Sequence, residues 1–193
     1  MKKQILLALV SLMTITSCTR EDEMADNAFQ AENSMAKVES GPVLANKGNT
    51  MLAYSASINR IDFNDKLSVD FYNIIGTKET VELVMQSNED LVCYYTDFFG
   101  MRKTIWASGS HRPAGFAVPC HLTFQDDGDF AIYENHSNTP IWRLNSHWTG
   151  PKTQYRDFRL EVWKEGSRVF AYLHLYRSGT WYKTVFKQEL IVH

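Results

Sequence analysis

No apolar run in these 193 residues approaches the ~20 residues needed to cross a bilayer as a helix. Cysteine and proline are scarce too, at three and five residues. So few cysteines exclude a disulfide-stapled scaffold, and so few prolines exclude a proline-rich low-complexity chain. Charge of one sign is also lacking: 20 Lys and Arg stand against 22 Asp and Glu, a formal net charge of −2. Beyond residue 48 the balance is 15 to 16, with no basic stripe, which argues against nucleic acid as a partner. The histidines (His111, His121, His136, His147, His174 and His193) are scattered without metal-ligand spacing, and no nucleophile motif accompanies them. Cys120 and His121 are adjacent, but neighbours in a strand point to opposite faces and do not form a dyad. The sequence therefore predicts neither enzyme nor cofactor. It does have a 44% hydrophobic and 13% aromatic share, enough for a real core in one domain.

The first residues stand apart from that domain. Met1-Lys2-Lys3 is a basic start, residues 5–13 form a short apolar run, and the segment ends in Ile15-Thr16-Ser17-Cys18. This is the pattern of an export signal, and its end resembles the lipobox of bacterial lipoproteins, which implies a signal peptide over 1–17 and lipidation of Cys18. Residues 18–48 carry six acidic side chains (Glu21, Asp22, Glu23, Asp26, Glu32, Glu39) against three basic ones, with no sustained apolar period. Such a segment reads as a flexible acidic tether. The acidic run after Cys18 resembles the signal that places some lipoproteins on the outer face of Gram-negative cells, although a solvated spacer explains it nearly as well.

From residue 49 to 193 the chain consists of short alternating runs rich in Val, Ile, Phe, Tyr and Trp, broken by Gly, Asn, Asp and Pro. That pattern predicts an all-β domain. Strands are expected over 51–58, 61–72, 79–85, 91–95, 104–107, 122–125, 130–134 and 140–144, with a tight turn at Asp127-Gly128. Residues 83–94 and 122–133 repeat one another at an interval of 39, each with Gln, Asp and Tyr at matching offsets and a later Trp, Trp106 or Trp142. A worn third copy runs through 160–169, aligned so that Gly166 answers Gly128 and Trp163 answers Gln125, with Trp181 following. Sliding its later part by one residue brings Tyr172 to the Tyr position. Three units imply a pseudo-threefold assembly with apolar residues on its axis, and Trp106, Trp142 and Trp181 are the expected axis residues.

The first copy reads Gln86, Asn88, Asp90, Val92, Tyr94, followed by Trp106-Ala107-Ser108. The second reads Gln125, Asp127, Asp129, Ala131, Tyr133. This spacing resembles the Gln-x-Asp-x-Asn-x-Val-x-Tyr motif of the bulb-type (monocot) mannose-binding lectins, over most of residues 50–193. The resemblance implies a β-prism II fold of three four-stranded sheets, one sugar site per sheet and no metal; a β-trefoil repeats near the same length and is the alternative. It also implies roles: Gln, Asp and Asn hold two neighbouring hydroxyls, Tyr a third, and Val packs on ring carbons. The chemistry agrees, since adjacent hydroxyls each donate and accept and are matched by amide, carboxylate and phenol groups on one face of a ribbon. In that ribbon Leu83, Met85, Leu91 and Cys93 are expected to face the core.

The departures rank the copies. In the first, Asn88 and Asp90 exchange the family's Asp and Asn but keep donor and acceptor. In the second, Asp127 and Asp129 are two acceptors without an amide, and Val has shrunk to Ala131. Asp126, Asp127 and Asp129 could hold a cation weakly, though a solvated hairpin tip is the preferred reading. Cys93 and Cys120 either pair in a disulfide or stay as two buried thiols.

The expected function is a lipid-anchored cell-envelope lectin-like protein binding mannose-type or related carbohydrate without catalysis, through Gln86, Asn88, Asp90, Val92 and Tyr94, and more weakly through Gln125, Asp127, Asp129 and Tyr133. The alternative is a surface structural or protein-interaction module with degenerate sugar sites. A lectin-like bacteriocin is a third reading, against which a single lipidated domain argues.

Overall fold

The computed structural model describes residues 48–73, 75–112, 118–137 and 139–192; the expected signal peptide, Cys18 and the expected tether lie outside the described residues. Twelve strands follow in order: β1 (Asn49–Tyr54), β2 (Arg60–Asp62), β3 (Lys66–Tyr72), β4 (Lys78–Met85), β5 (Leu91–Thr96), β6 (Arg102–Ala107), β7 (Cys120–Phe124), β8 (Phe130–Glu134), β9 (Pro140–Arg143), β10 (Arg156–Glu165), β11 (Arg168–Arg177) and β12 (Thr180–Leu190). They form three four-stranded sheets: sheet A in the order β1-β10-β11-β12, sheet B in the order β2-β7-β8-β9, and sheet C in the order β3-β4-β5-β6. All paired strands are antiparallel. This is the expected all-β, three-sheet β-prism II architecture, and not the hairpin barrel of a β-trefoil.

The two opening strands expected over 51–58 and 61–72 are three, each delivered to a different sheet. Asn64, in the left-handed region at φ 61°, and the Asp65 N–H bonded back to the Asp62 carbonyl break the second of them. As a result β1 completes the sheet built by the last third of the chain, and β2 completes the middle one.

The strands that carry the pattern most clearly, β3 and β4, alternate between a buried and an outward face. Leu83, Met85, Leu91 and Cys93 are all fully buried, as their alternation predicts, and they join Leu122, Phe124, Phe130, Ile132, Leu160, Val162 and Leu173 in a single core. Trp106 and Trp142 pack edge to face in that core with centroids 6.3 Å apart. Their third partner is Phe186, stacked on Trp106 at 4.9 Å, and not Trp181. Register shifts in β12 place Trp181 opposite Tyr176 and Phe186 opposite Leu173, so counting 39 residues forward from Trp142 arrives at an outward position.

Buried polar groups tie the frame together. Glu79, 1% exposed, accepts from Asn73 Nδ2 (2.9 Å) and the Tyr95 hydroxyl (2.6 Å). Glu89 bonds the Val118 N–H (2.8 Å) and faces Arg112, which also reaches Glu134 of sheet B. Glu161, fully buried on the outward side of sheet A, accepts from Trp163 Nε1 (2.7 Å), His174 Nδ1 (3.1 Å) and the Tyr176 hydroxyl. Burial pushes the Glu161 carboxyl up, but the bonds from His174, Tyr176 and Trp163 and the His174 charge bring it below its ordinary 4.5.

Two predictions follow from this frame. Gly128 sits at φ 87°, and a Cβ there would overlap the Trp148 indole; Gly128→Ala is expected to cost about 3 kcal/mol, read as a lowered denaturation midpoint. Because the Glu161 pKa is lowered on folding, its contribution is fully present above the unfolded value and is lost as pH falls through the folded one. Glu161→Gln should cost about 3 kcal/mol at neutral pH and flatten the loss of melting temperature below about pH 4.5; an unchanged acid limb in the variant contradicts the assignment.

Candidate functional site

The first motif spans the β4–β5 hairpin of sheet C. Gln86 donates its N–H to the Asp90 carbonyl (2.9 Å) and its carbonyl accepts from the Glu89 N–H (3.1 Å), with Glu89 left-handed at φ 69°. This three-residue connection ends in a bulge. On the outward face Gln86 and Tyr94 meet, the Gln86 amide donating to the Tyr94 hydroxyl. The Arg102 guanidinium lies 3.8 Å over the Tyr94 ring and is held by Glu82 (3.0 Å), which Lys66 also reaches (2.6 Å). Asn64, Gln86, Ser87 and Asn88 line a shallow hollow of about 380 Å³ beside this pair. Val92, expected to pack on the ring carbons of a sugar, is only 4% exposed.

Asn88 and Asp90 do different work. Asn88 Oδ1 accepts from the Asp90 N–H at 3.2 Å. Asp90 Oδ1 accepts from Ser108 Oγ (2.7 Å) and from the N–H groups of Gly109 (2.9 Å) and Ser110 (3.2 Å), while Oδ2 stands 4.0 Å from His111 Nδ1. Asp90 therefore anchors the segment that follows β6 through one oxygen and faces His111 with the other. Sequence reasoning missed this use of Ser108 and Ser110, although the "Trp, small, Ser" segment was the available signal.

The second motif spans β7–β8 of sheet B with the same turn: Gln125 N–H donates to the Asp129 carbonyl (2.8 Å) and Gly128 N–H to the Gln125 carbonyl (2.9 Å). Its face is more closed. Ala131 and Asp129 are fully buried and Tyr133 is 8% exposed, stacked on His121 at 6.0 Å. Arg143 stands 3.0 Å from Asp129 Oδ2, out of line for a hydrogen bond, and His147 bridges Asp129 (3.7 Å) and Asp127 (3.6 Å). Asp126 turns away to Arg156 at 2.6 Å. Each carboxylate has found a cationic side chain or a backbone donor, and among the described residues no group of three acidic, His or Cys side chains is placed to hold a metal.

The third copy is intact in form but shifted in register. In sheet A the β10–β11 connection has two residues, Gly166 (φ 62°) and Ser167, between the paired Glu165 and Arg168. One residue fewer in the turn puts Glu165, not Trp163, at the Gln position, Arg168 at that of Asp90, Phe170 at that of Val92 and Tyr172 at that of Tyr94; the same cross-strand logic pairs Tyr94 with Glu82, Tyr133 with His121 and Tyr172 with Glu161. The Tyr172 hydroxyl donates to Glu165, reproducing the Gln86 and Tyr94 contact, and Lys187 bonds the other Glu165 oxygen at 2.7 Å. Burial, then the Glu165 bond, push the Tyr172 phenol up.

Cys93 and Cys120 are separate buried thiols, one in sheet C and one in sheet B, and form no bridge. Burial raises both, Cys120 to about 11, so neither is a nucleophile at neutral pH.

No protein-family model matches the chain, and no curated protein is similar to it. Two solved structures resemble it in part. A mannose-specific lectin from the Dutch crocus (Crocus vernus) is 20% identical, with 55% of this chain and 79% of that one covered, at a TM-score of 0.35. A monomeric monocot mannose-binding lectin from Gastrodia elata is 18% identical, with 69% and 93% covered, at a TM-score of 0.38.

Proposed function

We propose that the protein is a lipid-anchored carbohydrate-binding protein of the bacterial outer membrane, taking mannose-type or related sugars at a shallow site on sheet C. The observation that carries this reading is the Gln86 and Tyr94 pair on an outward sheet face beside a hollow that also presents Asn64 and Asn88. Amide, phenol and the second carboxylate oxygen of Asp90, which faces His111 at 4.0 Å, supply both donors and acceptors for neighbouring hydroxyls. The sheet B copy supports weaker binding, because Asp129 is spent on Arg143 and Tyr133 is nearly covered. A shallow site of this kind binds at about millimolar, near −4 kcal/mol, and many copies on a surface raise that by avidity. The lipobox resemblance at Cys18 and the acidic tether support attachment to the envelope with the domain held clear of the lipid.

A specific observation favours a second reading, a protein-interaction module. Tyr72, Ile75, Phe99 and Met101, each at least half exposed, gather at the turns on one end of sheet C, and such apolar patches mark interaction sites. Co-purification of one stoichiometric envelope protein, lost on Phe99→Ser, would favour that reading.

The full chain on a glycan array is expected to show a mannose-type signal that Gln86→Ala lowers at least about tenfold and Gln125→Ala lowers less. No glycan signal, or one that both substitutions leave untouched, refutes the carbohydrate reading. Cys18→Ser should move the protein from the membrane fraction to the soluble fraction; unchanged membrane retention contradicts the anchor.

A further inference from the structure

Trp181 is the exposed aromatic that neither the core nor the three motifs absorb. It stands on the outward face of sheet A, 48% exposed, across the strand pair from Tyr176. His174 meets it edge to face at 6.4 Å and meets Tyr176 in the same manner at 6.3 Å. Both of these rings are fixed from beneath by one group, the buried carboxylate of Glu161, through His174 Nδ1 and the Tyr176 hydroxyl. The Arg159 guanidinium covers the Tyr176 ring at 4.4 Å and is itself held by Asp157 (3.1 Å). The Trp181 indole is thus the open ring of an ordered aromatic group. A buried carboxylate is unfavourable unless donors satisfy it, and here the donors include the two rings whose orientation it sets.

The surroundings define what such a ring can take. A shallow hollow of about 500 Å³ opens at the same end of the sheet, lined among others by Tyr155, Asp157, Ser178 and Gly179. The charges around it are paired, Arg159 with Asp157 and Arg156 with Asp126. A charged ligand would have to break one of these pairs and leave a partner uncompensated, whereas a neutral polyol can share them through hydroxyls that both donate and accept. A flat indole face with paired polar groups two strands away, across Tyr176 at the same end of the sheet, suits a saccharide, which presents a C–H face to the aromatic and hydroxyls to the polar groups.

We infer that this end of sheet A is a second saccharide site, at which a neutral hexose ring stacks on Trp181 and bonds through its hydroxyls to the Asp157, Arg159 and Ser178 rim. It lies four residues along β11 from Tyr172, about 13 Å from the motif position of its own sheet, and uses none of the motif residues. It shares a ligand class with the proposed function but does not depend on the sheet C site.

Titration of the full-length protein with mannotetraose separates the two. In a Gln86→Ala/Gln125→Ala background the sugar is expected still to shift the Trp181 indole N–H resonance. Adding Trp181→Ala to that background should weaken the remaining binding at least about tenfold, and Trp181→Phe, which keeps a ring, should retain most of it. Glu161→Gln should weaken the same binding without altering affinity at Gln86, because it releases His174 and Tyr176. Loss of all binding in the Gln86→Ala/Gln125→Ala protein overturns this site and leaves the sheet C reading standing. Remaining binding that is indifferent to Trp181→Ala overturns it equally.

Discussion

Each sheet of this protein has one apolar face and one polar face, and a single sheet has nowhere to hide the apolar one. The structure depends on closing three such faces on one another. Closure is achieved by sending the first three strands to three different sheets, so that β1 is hydrogen-bonded to β10 across more than half the chain and β2 to β7 past the whole of sheet C. Trp106, Trp142 and Phe186 then fill the place where the faces meet. Everything that could meet a ligand is left on the outward faces, on backbone already fixed by the core behind it, which is the arrangement that keeps a shallow polar site in register.

The three outward faces diverge through turn length and through the residue that follows the turn. In sheets B and C a three-residue connection lets a carboxylate fold back, and in both cases it is engaged locally: Asp90 Oδ1 by the Ser108 hydroxyl and the 109–110 backbone, Asp129 by Arg143. In sheet A, after a two-residue connection, Arg168 stands at that position and pairs with Glu189 instead. The pair of a Tyr with Gln or Glu survives in sheets C and A. Arg102 lies over the Tyr94 ring and Lys187 is bonded to the Glu165 partner of Tyr172; the sheet C pair stands beside a polar hollow.

Much of the fold was legible because a period of two with one buried face is a strong constraint: the burial of Leu83, Met85, Leu91 and Cys93 follows from it directly, and the β7–β8 hairpin from its Asp127-Gly128 turn residues. The third unit was misaligned for a physical reason. Gly166 and Gly128 look equivalent in sequence, but they occupy turns of different length, and a change of turn length shifts every later position. Trp181 was misplaced by the same kind of event, since the bulges in β12 break the count. The pairing of carboxylates with Arg143, Arg156 and Ser108 could not be read at all, because those partners lie 14 to 30 residues away on other strands. The cysteines were ambiguous in sequence because their separation in space depends on which sheets they enter.

The central claim is that the outward face of sheet C binds a neutral sugar through the Gln86 amide and the Tyr94 phenol. The most direct measurement is the side-chain amide resonance of Gln86 in the full-length protein as methyl α-mannopyranoside is added. The account predicts a saturable shift of that resonance at millimolar sugar, accompanied by Asn88 and abolished by Tyr94→Phe with the fold unchanged. A Gln86 resonance that stays fixed while sugar binds elsewhere, or that never moves, would contradict it.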